Sequence, residues 1–504
     1  MRSTDKDTET KGNNMSLRNE NNEAPAQSKQ GKWVRIVLPT ALLLAVCTVA
    51  TAYFPNTATT ATGKLNHGGN ASRTNISLPG VTATDPGPRP LPANAGNFLS
   101  TLSANEQQIE PSITTEFNRV HDVIVTSPVD GGLGPTFNSN SCASCHAYPA
   151  VGGSSPPNNP LYSVYNLDGA TNSMPFFESA TGPILEARFI DVPGTTTPDG
   201  TVHQNFTITG RTDAAGCNLA QPNFTQASTE GNLVLRQVSP TYGDGLIEVI
   251  RNVDIINNMN SNLSQKATLG ITGTPNYSGN DGSIMRFGWK AQVRSTMLMS
   301  AQQFNVEMGV TNEVFPNEIN QTPGCVLNPL PETVTNFTPG ILTEFFPGDY
   351  SRTEYFTQWL APPTPGPSTS QTKNGKTQFT NAGCVFCHTT SFKTPATSRP
   401  ALANITINLY SDLLVHHMGP LLADGLTQGN AGPDQFRTAP LWGIGQRLWF
   451  LHDGRTNNIV TAIEDHYSLG NSQYPASEAN QSVTNFNNLS STNQQDLVDF
   501  LRSL

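Results

Sequence analysis

Charge and cysteine are both scarce in this sequence. Charged residues make up 13% of its 504 residues, where an average soluble protein has about 25%. The net charge is −10, and lysine and arginine form no basic cluster, so a nucleic acid partner is not expected. Only seven cysteines are present, and four of them stand in two short motifs. A chain of this length can form two or three domains, each with its own core.

Long hydrophobic runs are also rare, and the clearest one lies near the N-terminus. Residues 1–32 are polar and lack apolar periodicity, so we expect a disordered tail. Residues 33–54 (WVRIVLPTALLLAVCTVATAYF) follow, with Arg35 as their one charge. Their length is close to that of the shortest membrane-spanning helices, and Ala-Thr-Ala at 50–52 resembles a cleavage site. We predict a signal peptide or a membrane anchor, which places residues 55–504 in the periplasm.

Two stretches of linker composition divide the rest of the chain. Residues 55–95 are rich in Thr, Asn, Gly and Pro, a composition typical of linkers. Residues 361–370 (APPTPGPSTS) contain four prolines, which prevent regular structure. We therefore predict a first domain over residues 96–360 and a second over residues 365–504.

Each predicted domain contains one Cys-x-x-Cys-His motif. The two copies consist of Cys142, Cys145 and His146, and of Cys384, Cys387 and His388. In this motif two thiols add to the vinyl groups of haem, and the histidine binds the iron. About 0.002 copies are expected by chance at this composition. A zinc site would not space its cysteine pairs so far apart, and a redox dithiol would not need the histidines. We predict two covalently attached haem c groups.

The sequence around the motifs agrees with this interpretation. Phe137 and Phe379 each stand five residues before the first cysteine of a motif, where an aromatic residue packs on the haem in many small cytochromes. An amphipathic helix is predicted from about Ser491 to the C-terminus, with a capping box at Ser491 or Thr492. Such a helix would close the second domain by packing on its first helix.

Several separate strings resemble one known family. They are GLGPTFNSNSCASCHAYPAVGG, RFGWKAQV, YSDLLVHHMGPLLADG, RTAPLWGIG and FLHDGR. From Asn97 to Leu504 the chain resembles bacterial di-haem c-type oxidoreductases, once labelled thiol oxidoreductases and related to di-haem cytochrome c peroxidases. The resemblance implies a mainly α fold with two cytochrome c-like haem domains and electron transfer between the haems. It also implies a β-rich, loop-rich insertion in the first domain. Residues 155–285, with expected strands at LVLRQV and LIEVIR, fit that insertion.

The resemblance also indicates a sixth iron ligand for the second haem. The peroxidase relatives place a distal ligand on the helix that follows a segment like residues 439–454. Here that helix is expected over residues 459–467, and His466 takes the position of the relatives' Met or Tyr. With His466 and His388 the iron would be bis-histidine ligated. The alternatives in this half are His416, His417, Met418 and Tyr467, while His452 is expected to bond the backbone.

The first haem gives a less definite pattern. Candidate sixth ligands are His121, His203, Met297, Met299 and Met308. Alternatively, the iron has no strong sixth ligand and is open to peroxide or oxygen, which requires an acid or base nearby. Glu248 is our candidate for that catalytic acid, and Glu178 and Glu186 are further candidates. Trp289 and Trp442 lie either between the haems or in ordinary core packing.

The remaining predictions concern partners and two further cysteines. Cys217 and Cys325 stand in Gly/Pro-containing loops, and in an exported protein we expect a structural disulfide, with a redox pair as the alternative. We expect a peroxidase-like enzyme that reduces H2O2 with electrons from a small redox protein or a quinol-linked donor. A non-enzymatic electron carrier and a haem-dependent oxygenase of an organic substrate are the alternatives. Calcium is a further candidate ion, for which no residue pattern argues.

Overall fold

The computed structural model describes residues 80–90, 94–123, 132–211, 219–319, 332–334 and 348–504. The predicted tail, the predicted signal or anchor segment, most of the predicted linker, and the predicted disulfide between Cys217 and Cys325 lie outside these residues. Within the described residues, no helix is both long and apolar enough to cross a membrane.

Short helices separated by turns dominate the described residues. They are α1 Ala104–Gln107, α2 Glu110–Asn118, α3 Cys142–Cys145, α4 Leu161–Leu167, α5 Phe224–Thr229, α6 Asp244–Glu248, α7 Asn252–Met259, α8 Leu263–Leu269, α9 Thr296–Met308, α10 Asp349–Trp359, α11 Ser370–Asn381, α12 Gly419–Leu422, α13 Ile459–Glu464, α14 Asn480–Asn487 and α15 Ser491–Ser503. Three 3-10 turns add to them, at Cys384–Phe386, Pro400–Leu402 and Ile444–Gln446.

The strands are short and pair antiparallel. They are β1 Thr136–Phe137, β2 Leu185–Phe189, β3 Val202–His203, β4 Phe206–Thr207, β5 Leu233–Gln237, β6 Phe392–Lys393, β7 Thr406–Ile407, β8 Val415–His417 and β9 Gln435–Arg437. The largest sheet of the described residues has three strands in the order β3-β2-β5, and the pairs β1-β4, β6-β7 and β8-β9 stand separately.

The expected β-rich insertion is in fact mixed. LVLRQV forms β5 as predicted, but LIEVIR does not form a strand, because its first residues belong to helix α6. Leu246 and Ile247 of that helix are buried side by side, which a strand with alternating faces would not allow. In the described part of residues 155–285, helices α4–α8 cover more residues than strands β2–β5.

The second half closes as the terminal amphipathic pattern predicts. Helix α15 packs on α11, and the two backbones cross so closely that a Cβ at Gly375 would lie 1.9 Å from the Asp496 carbonyl oxygen. The cap differs from the prediction, because Ser490 lies in the extended region before the helix and its side chain accepts from Asn493 N. Phe379 of α11 is buried against Phe500, with ring centroids 5.6 Å apart.

One hydrophobic core joins residues from both predicted domains. Phe117 and Phe356 stack at 4.0 Å within it, and Leu409 and Trp442 of the second half belong to the same cluster. The contacts group Gly63–Leu504 as one unit. The domain boundary near residues 360–365 stays a prediction.

The end of the predicted linker contributes to the packing. Gly80–Pro90, which we call the strap, contains no helix or strand, as its composition predicts. It nevertheless bonds to α15, since Thr82 N donates to Gln494 Oε1 and Thr84 N donates to Gln495 Oε1, both at 2.9 Å. The strap is therefore an ordered part of the second half.

Candidate functional site

The second motif stands at the end of α11. Gly383 adopts φ +93°, which turns the chain out of the helix, and a 3-10 turn over Cys384–Phe386 follows. The amide of His388 donates to the carbonyl of Cys384 at 2.8 Å. This single turn presents two thiols and an imidazole on the same wall of a cavity.

That cavity, which we call the His388 cavity, has a volume of about 1400 Å³ including its open mouth. Most of its lining is apolar, from α11, α13, α14, α15 and the segment after β9. Its chemically active lining residues are Cys384, Cys387, His388, His416, Met418, Arg437, Arg447, His452, His466 and Glu478. A large apolar cavity with a few polar groups is the usual form of a cofactor site.

Three histidines of the predicted sites are held in the same way. The Nδ1 atom of His388 lies 3.0 Å from the carbonyl oxygen of Tyr410, and that of His466 lies 2.6 Å from that of Ala462. In the first motif, His146 Nδ1 lies 3.1 Å from the carbonyl oxygen of Gly153. Since a carbonyl oxygen only accepts, Nδ1 donates in each case and Nε2 keeps its lone pair.

Burial keeps these imidazoles neutral. It lowers the pKa of His146 and of His388 to about 4 in each case, and it also lowers the pKa of His466. A neutral imidazole with Nδ1 bonded to a carbonyl is the form in which histidine binds a metal. The predicted helix before His466 is shorter than expected, because α13 ends at Glu464 and His466 stands in the turn that follows.

His416 also lines the cavity, but both of its ring nitrogens are occupied. Nε2 lies 3.0 Å from Asp412 Oδ2 and Nδ1 lies 2.8 Å from Glu478 Oε2. Burial alone would lower its pKa, but the neighbouring Cys387 and Asp412 raise it well above the usual value. A protonated ring with both nitrogens donating has no lone pair for iron, so this geometry does not favour His416 as a ligand.

The remaining candidate ligands of the second half have unlike surroundings. His417 pairs with Asp434 at 2.9 Å, outside the cavity lining. Met418 is buried beside Leu422. The ring of His452 stacks on Phe436 with centroids 4.3 Å apart, and no described residue forms the expected backbone bond with it.

The cavity contains a polar group that fits a haem. Arg447 is buried and lines the cavity, and its Nε and Nη2 atoms have no hydrogen-bond partner among the described residues. Burial lowers its pKa to about 10, so it remains charged at pH 7. Two unpartnered N–H groups of a guanidinium match a carboxylate, and haem carries two propionates. The residues present therefore fit the predicted cofactor.

The first motif forms the single turn of α3, with His146 N donating to the Cys142 carbonyl at 3.0 Å. Phe117 meets the His146 ring edge-on at 6.1 Å. Phe137 is fully buried in a core that Cys142 and Cys145 border, and its packing on the haem stays a prediction.

All four motif thiols are free. Burial raises the pKa of Cys145 and of Cys384 to about 12 in each case, and it also raises the pKa of Cys142 and Cys387. Neither motif therefore forms the internal disulfide of a redox dithiol in this structure.

Buried carboxyl groups surround the first motif. Glu178 accepts hydrogen bonds from Asn159 Nδ2 at 2.6 Å and from Leu185 N at 3.1 Å, and burial raises its pKa to about 8. Glu307 accepts from Asn138 Nδ2 at 2.8 Å, and burial likewise raises its pKa to about 8. Both act electrostatically on Cys145. Sequence reasoning missed Glu307, since no local pattern relates the end of α9 to the motif.

The two further candidate acids have different partners. Glu248 accepts from Thr296 Oγ1 at 2.9 Å and Gln358 Nε2 at 3.1 Å, and pairs with Arg399 at 3.2 Å. None of these partners belongs to either motif, so the contacts describe a link between the two halves of the chain. Glu186 pairs with Arg188 at 2.5 Å and interacts with Glu307.

The candidate sixth ligands of the first haem are spread over several environments. His203 is bonded to Asp199 at 3.0 Å and stacks on Phe189, while the buried His121 meets Phe304 edge-on at 5.7 Å. Met308 belongs to the core that both motif cysteines border. Met297 is 39% exposed, and Met299 packs against a different part of the core.

The two candidate tryptophans both contact the boundary between the halves. Trp289 lines the His388 cavity, and its Nε1 donates to the carbonyl of Gln237 at 3.0 Å. Trp442 is buried, and a Cβ at Gly243 would lie 2.4 Å from its ring.

The motifs, the cavity and its arginine define a haem-binding protein, and comparison with known proteins identifies the family. The model of the family described as "Di-haem oxidoreductase, putative peroxidase" matches residues 206–504. The chain belongs to this family of haem redox proteins. The match includes the second motif and begins after the first. No curated protein matches the chain.

Two solved structures were also found. Kuenenia stuttgartiensis hydrazine synthase, pressurised with xenon, is 18% identical over 32% of this chain and 56% of that chain, with a TM-score of 0.21. A MauG-like protein associated with microbial copper homeostasis is 15% identical over 31% and 52%, with a TM-score of 0.22. The chain thus matches about half the length of each.

Proposed function

We propose that this protein is an exported di-haem c-type cytochrome that acts as a peroxidase. Electrons from a small redox protein or a quinol-linked donor would enter at the second haem and reduce H2O2 at the first. Membership of the di-haem oxidoreductase family supports the redox class. The observation that carries the division of labour is the unlike surroundings of the two motif histidines.

In the second half, two neutral histidines line one cavity. His388 and His466 each have Nδ1 bonded to a backbone carbonyl and Nε2 left with its lone pair. Both imidazoles would hold the iron of one haem, which suits electron transfer rather than catalysis. The Arg447 guanidinium would bind a propionate and orient the haem plane.

In the first half, a buried acid acts electrostatically on Cys145 of the motif. The pKa of Glu178 is raised to about 8 by burial, so its carboxyl holds a proton at pH 7 and can give it to a substrate oxygen. Asn159 and the amide of Leu185 fix the orientation of that carboxyl. We assign Glu178 the acid role in place of Glu248, because Glu178 acts on Cys145, whereas Glu248 bonds to Thr296, Gln358 and Arg399 outside both motifs.

When bound, the haems supply iron that exchanges single electrons. The protein would attach each haem through two thioethers, at Cys142 and Cys145 and at Cys384 and Cys387. Burial raises the pKa of the four thiols, which keeps them protonated until attachment. We also propose that the chain holds two haems, that both are attached covalently, and that the protein is exported.

Electron paramagnetic resonance of the purified ferric protein tests this division. We expect one high-spin and one low-spin haem, together with H2O2 reduction when a reduced donor is supplied. Two low-spin haems without H2O2 turnover would overturn the proposal in favour of an electron carrier. Oxygen uptake with an organic substrate, without peroxide turnover, would favour an oxygenase.

A further inference from the structure

The strap contains a buried acid that bonds to the walls of the His388 cavity. Asp85 accepts from Arg502 Nε at 2.7 Å and from Arg502 Nη2 at 2.6 Å. Its Oδ2 also accepts from the amide of Ile459 at 2.7 Å. The Asp85 and Arg502 side chains are 5% and 4% exposed. The amide of Gly87 donates to Asp85 Oδ1 at 2.9 Å as well, so four hydrogen bonds converge on a residue that precedes the whole first domain.

The bond to Ile459 reaches the helix that precedes His466. Ile459 is the first residue of α13, where backbone N–H groups lack partners within the helix and a negative charge is stabilising. Ala462 of the same helix accepts from His466 Nδ1, and both residues line the cavity. Asp85 therefore bonds to one end of the element that orients His466 at its opposite end.

The bond to Arg502 reaches two further wall residues. Arg502 Nη1 donates to the carbonyl of Arg447 at 3.1 Å, and its guanidinium lies 5.1 Å from the centre of the Phe450 ring. Arg447 and Phe450 both line the cavity. One carboxylate therefore connects α13, α15 and the segment that carries the proposed propionate ligand.

The strap is held in place by further bonds as well. Thr82 and Thr84 bond to Gln494 and Gln495, and the amide of Arg89 donates to the carbonyl of Gly445 at 2.8 Å. These bonds do not involve α13. Replacement of Asp85 can therefore remove the connection to the helix while the strap stays attached.

Asp85 is charged in this position. Burial would raise its pKa, but Arg502 and the amides of Ile459 and Gly87 together lower it. Removing one partner of a buried, hydrogen-bonded ion pair leaves the remaining charge uncompensated. The Arg502 guanidinium would then have to move or take up water, and the wall around it would shift.

We propose that Asp85 is a positioning residue for the second haem and fixes the helix turn that presents His466 to the iron. This inference rests on the proposed function through the assignment of His466. It predicts that the ligand field of the second haem depends on a side chain outside the cytochrome-like sequence of residues 365–504.

The test compares Asp85→Ala and Asp85→Asn with Thr84→Ala in the full-length, haem-loaded protein. The Thr84 side chain donates to Gln495 Oε1 at 3.4 Å and has no contact with α13 among the described hydrogen bonds, so Thr84→Ala is the matched control. We expect both Asp85 variants to convert part of the second haem to high spin and to shift its reduction potential. Thr84→Ala should keep the wild-type spectrum, with two haems in every variant.

His466→Ala, measured in parallel, separates the two ways of failing. If His466→Ala changes the spin state and the Asp85 variants do not, the positioning role is wrong. If His466→Ala changes nothing, the ligand assignment and hence the proposed function fail first. Should a variant load poorly, amide hydrogen exchange over residues 459–466 decides: faster exchange in Asp85→Asn than in Thr84→Ala supports the inference, and equal exchange overturns it.

Discussion

The two motif regions share the five-position pattern Cys-x-x-Cys-His and differ in the charged groups around it. Buried carboxyls, chiefly Glu178 and Glu307, act on the first motif. The His388 cavity has mostly apolar walls with the second histidine His466 and the buried cation Arg447, and its carboxylate Glu478 is paired with His416. Under the proposed function, the same attachment chemistry would serve an acid-assisted site in one half and an electron-transfer site in the second. The surroundings, rather than the motif, decide which.

The largest expected effect is on the number of covalently bound haems, and it tests whether each motif attaches one haem. We predict that Cys142→Ala with Cys145→Ala lowers the covalent haem count from two to one, and that Cys384→Ala with Cys387→Ala does the same. Each motif also borders a core of its own besides the core that the two halves share, so loss of one haem should spare attachment of the second. Haem resistant to acid-acetone extraction gives the count. A wild-type count of one, or loss of both haems from either double variant, would contradict independent sites.

The next prediction concerns His466, the proposed second iron ligand of the His388 cavity. His466→Ala should convert one haem from low to high spin and leave the covalent count at two, because the second axial position loses its imidazole. His417→Ala is the control, since His417 is bonded to Asp434 away from the cavity lining. If the His466→Ala spectrum equals that of the wild type, His466 is not the ligand, and His452 and Met418 become the candidates.

A third prediction concerns the acid of the first region. Glu178→Gln should lower peroxide turnover about a hundredfold, the lower end of what general acid catalysis contributes, without altering the low-spin haem. Burial raises the Glu178 pKa from 4.5 to about 8, so the carboxyl loses its proton as pH rises through 8. Wild-type turnover should fall over that range, and the variant should lose this step. Glu248→Gln, measured alongside, should keep it.

The smallest effect concerns Arg447, whose charge should destabilise the folded chain without haem and stabilise it with haem. Arg447→Met should stabilise the Cys384→Ala, Cys387→Ala chain by about 1–3 kcal/mol, because an unpartnered buried donor disappears. In the haem-loaded chain the same substitution should destabilise. Urea unfolding of the four proteins forms a double-mutant cycle, and Arg251→Met, at an exposed site, is the control. If Arg447→Met changes the free energy of unfolding in the same direction with and without the second haem, a haem carboxylate is not the partner of Arg447.

Local patterns predicted much of the second half. The spacing of Cys384, Cys387 and His388 indicated a haem site, and the apolar face of the last helix indicated its packing on α11. Such features depend on residues within a turn or two of each other, where periodicity and side-chain chemistry suffice. The resemblance added His466, and the structure brings it into the same cavity as His388.

Long-range contacts were beyond the sequence. Glu307 joins the first motif only because α9 packs beside it, and Asp85 meets Arg502 across 417 positions. Composition described the strap correctly as irregular, but could not reveal its partners. The LIEVIR strand failed for a related reason, since a short apolar run fits a buried helix as well as a strand.

The pairing of Asp85 with Arg502 also sets an order of events during synthesis. The two residues are 417 positions apart, so the ion pair cannot form until the chain has been made as far as α15. The first motif, by contrast, and every residue of α9 exist long before that moment. The first motif and α9 can therefore meet early, but the core that they share with Leu409 and Trp442 forms later, and the His388 cavity waits for α15. A stop codon shortly before Arg502 would therefore leave the strap without its ion pair and the His388 cavity without one of its supports.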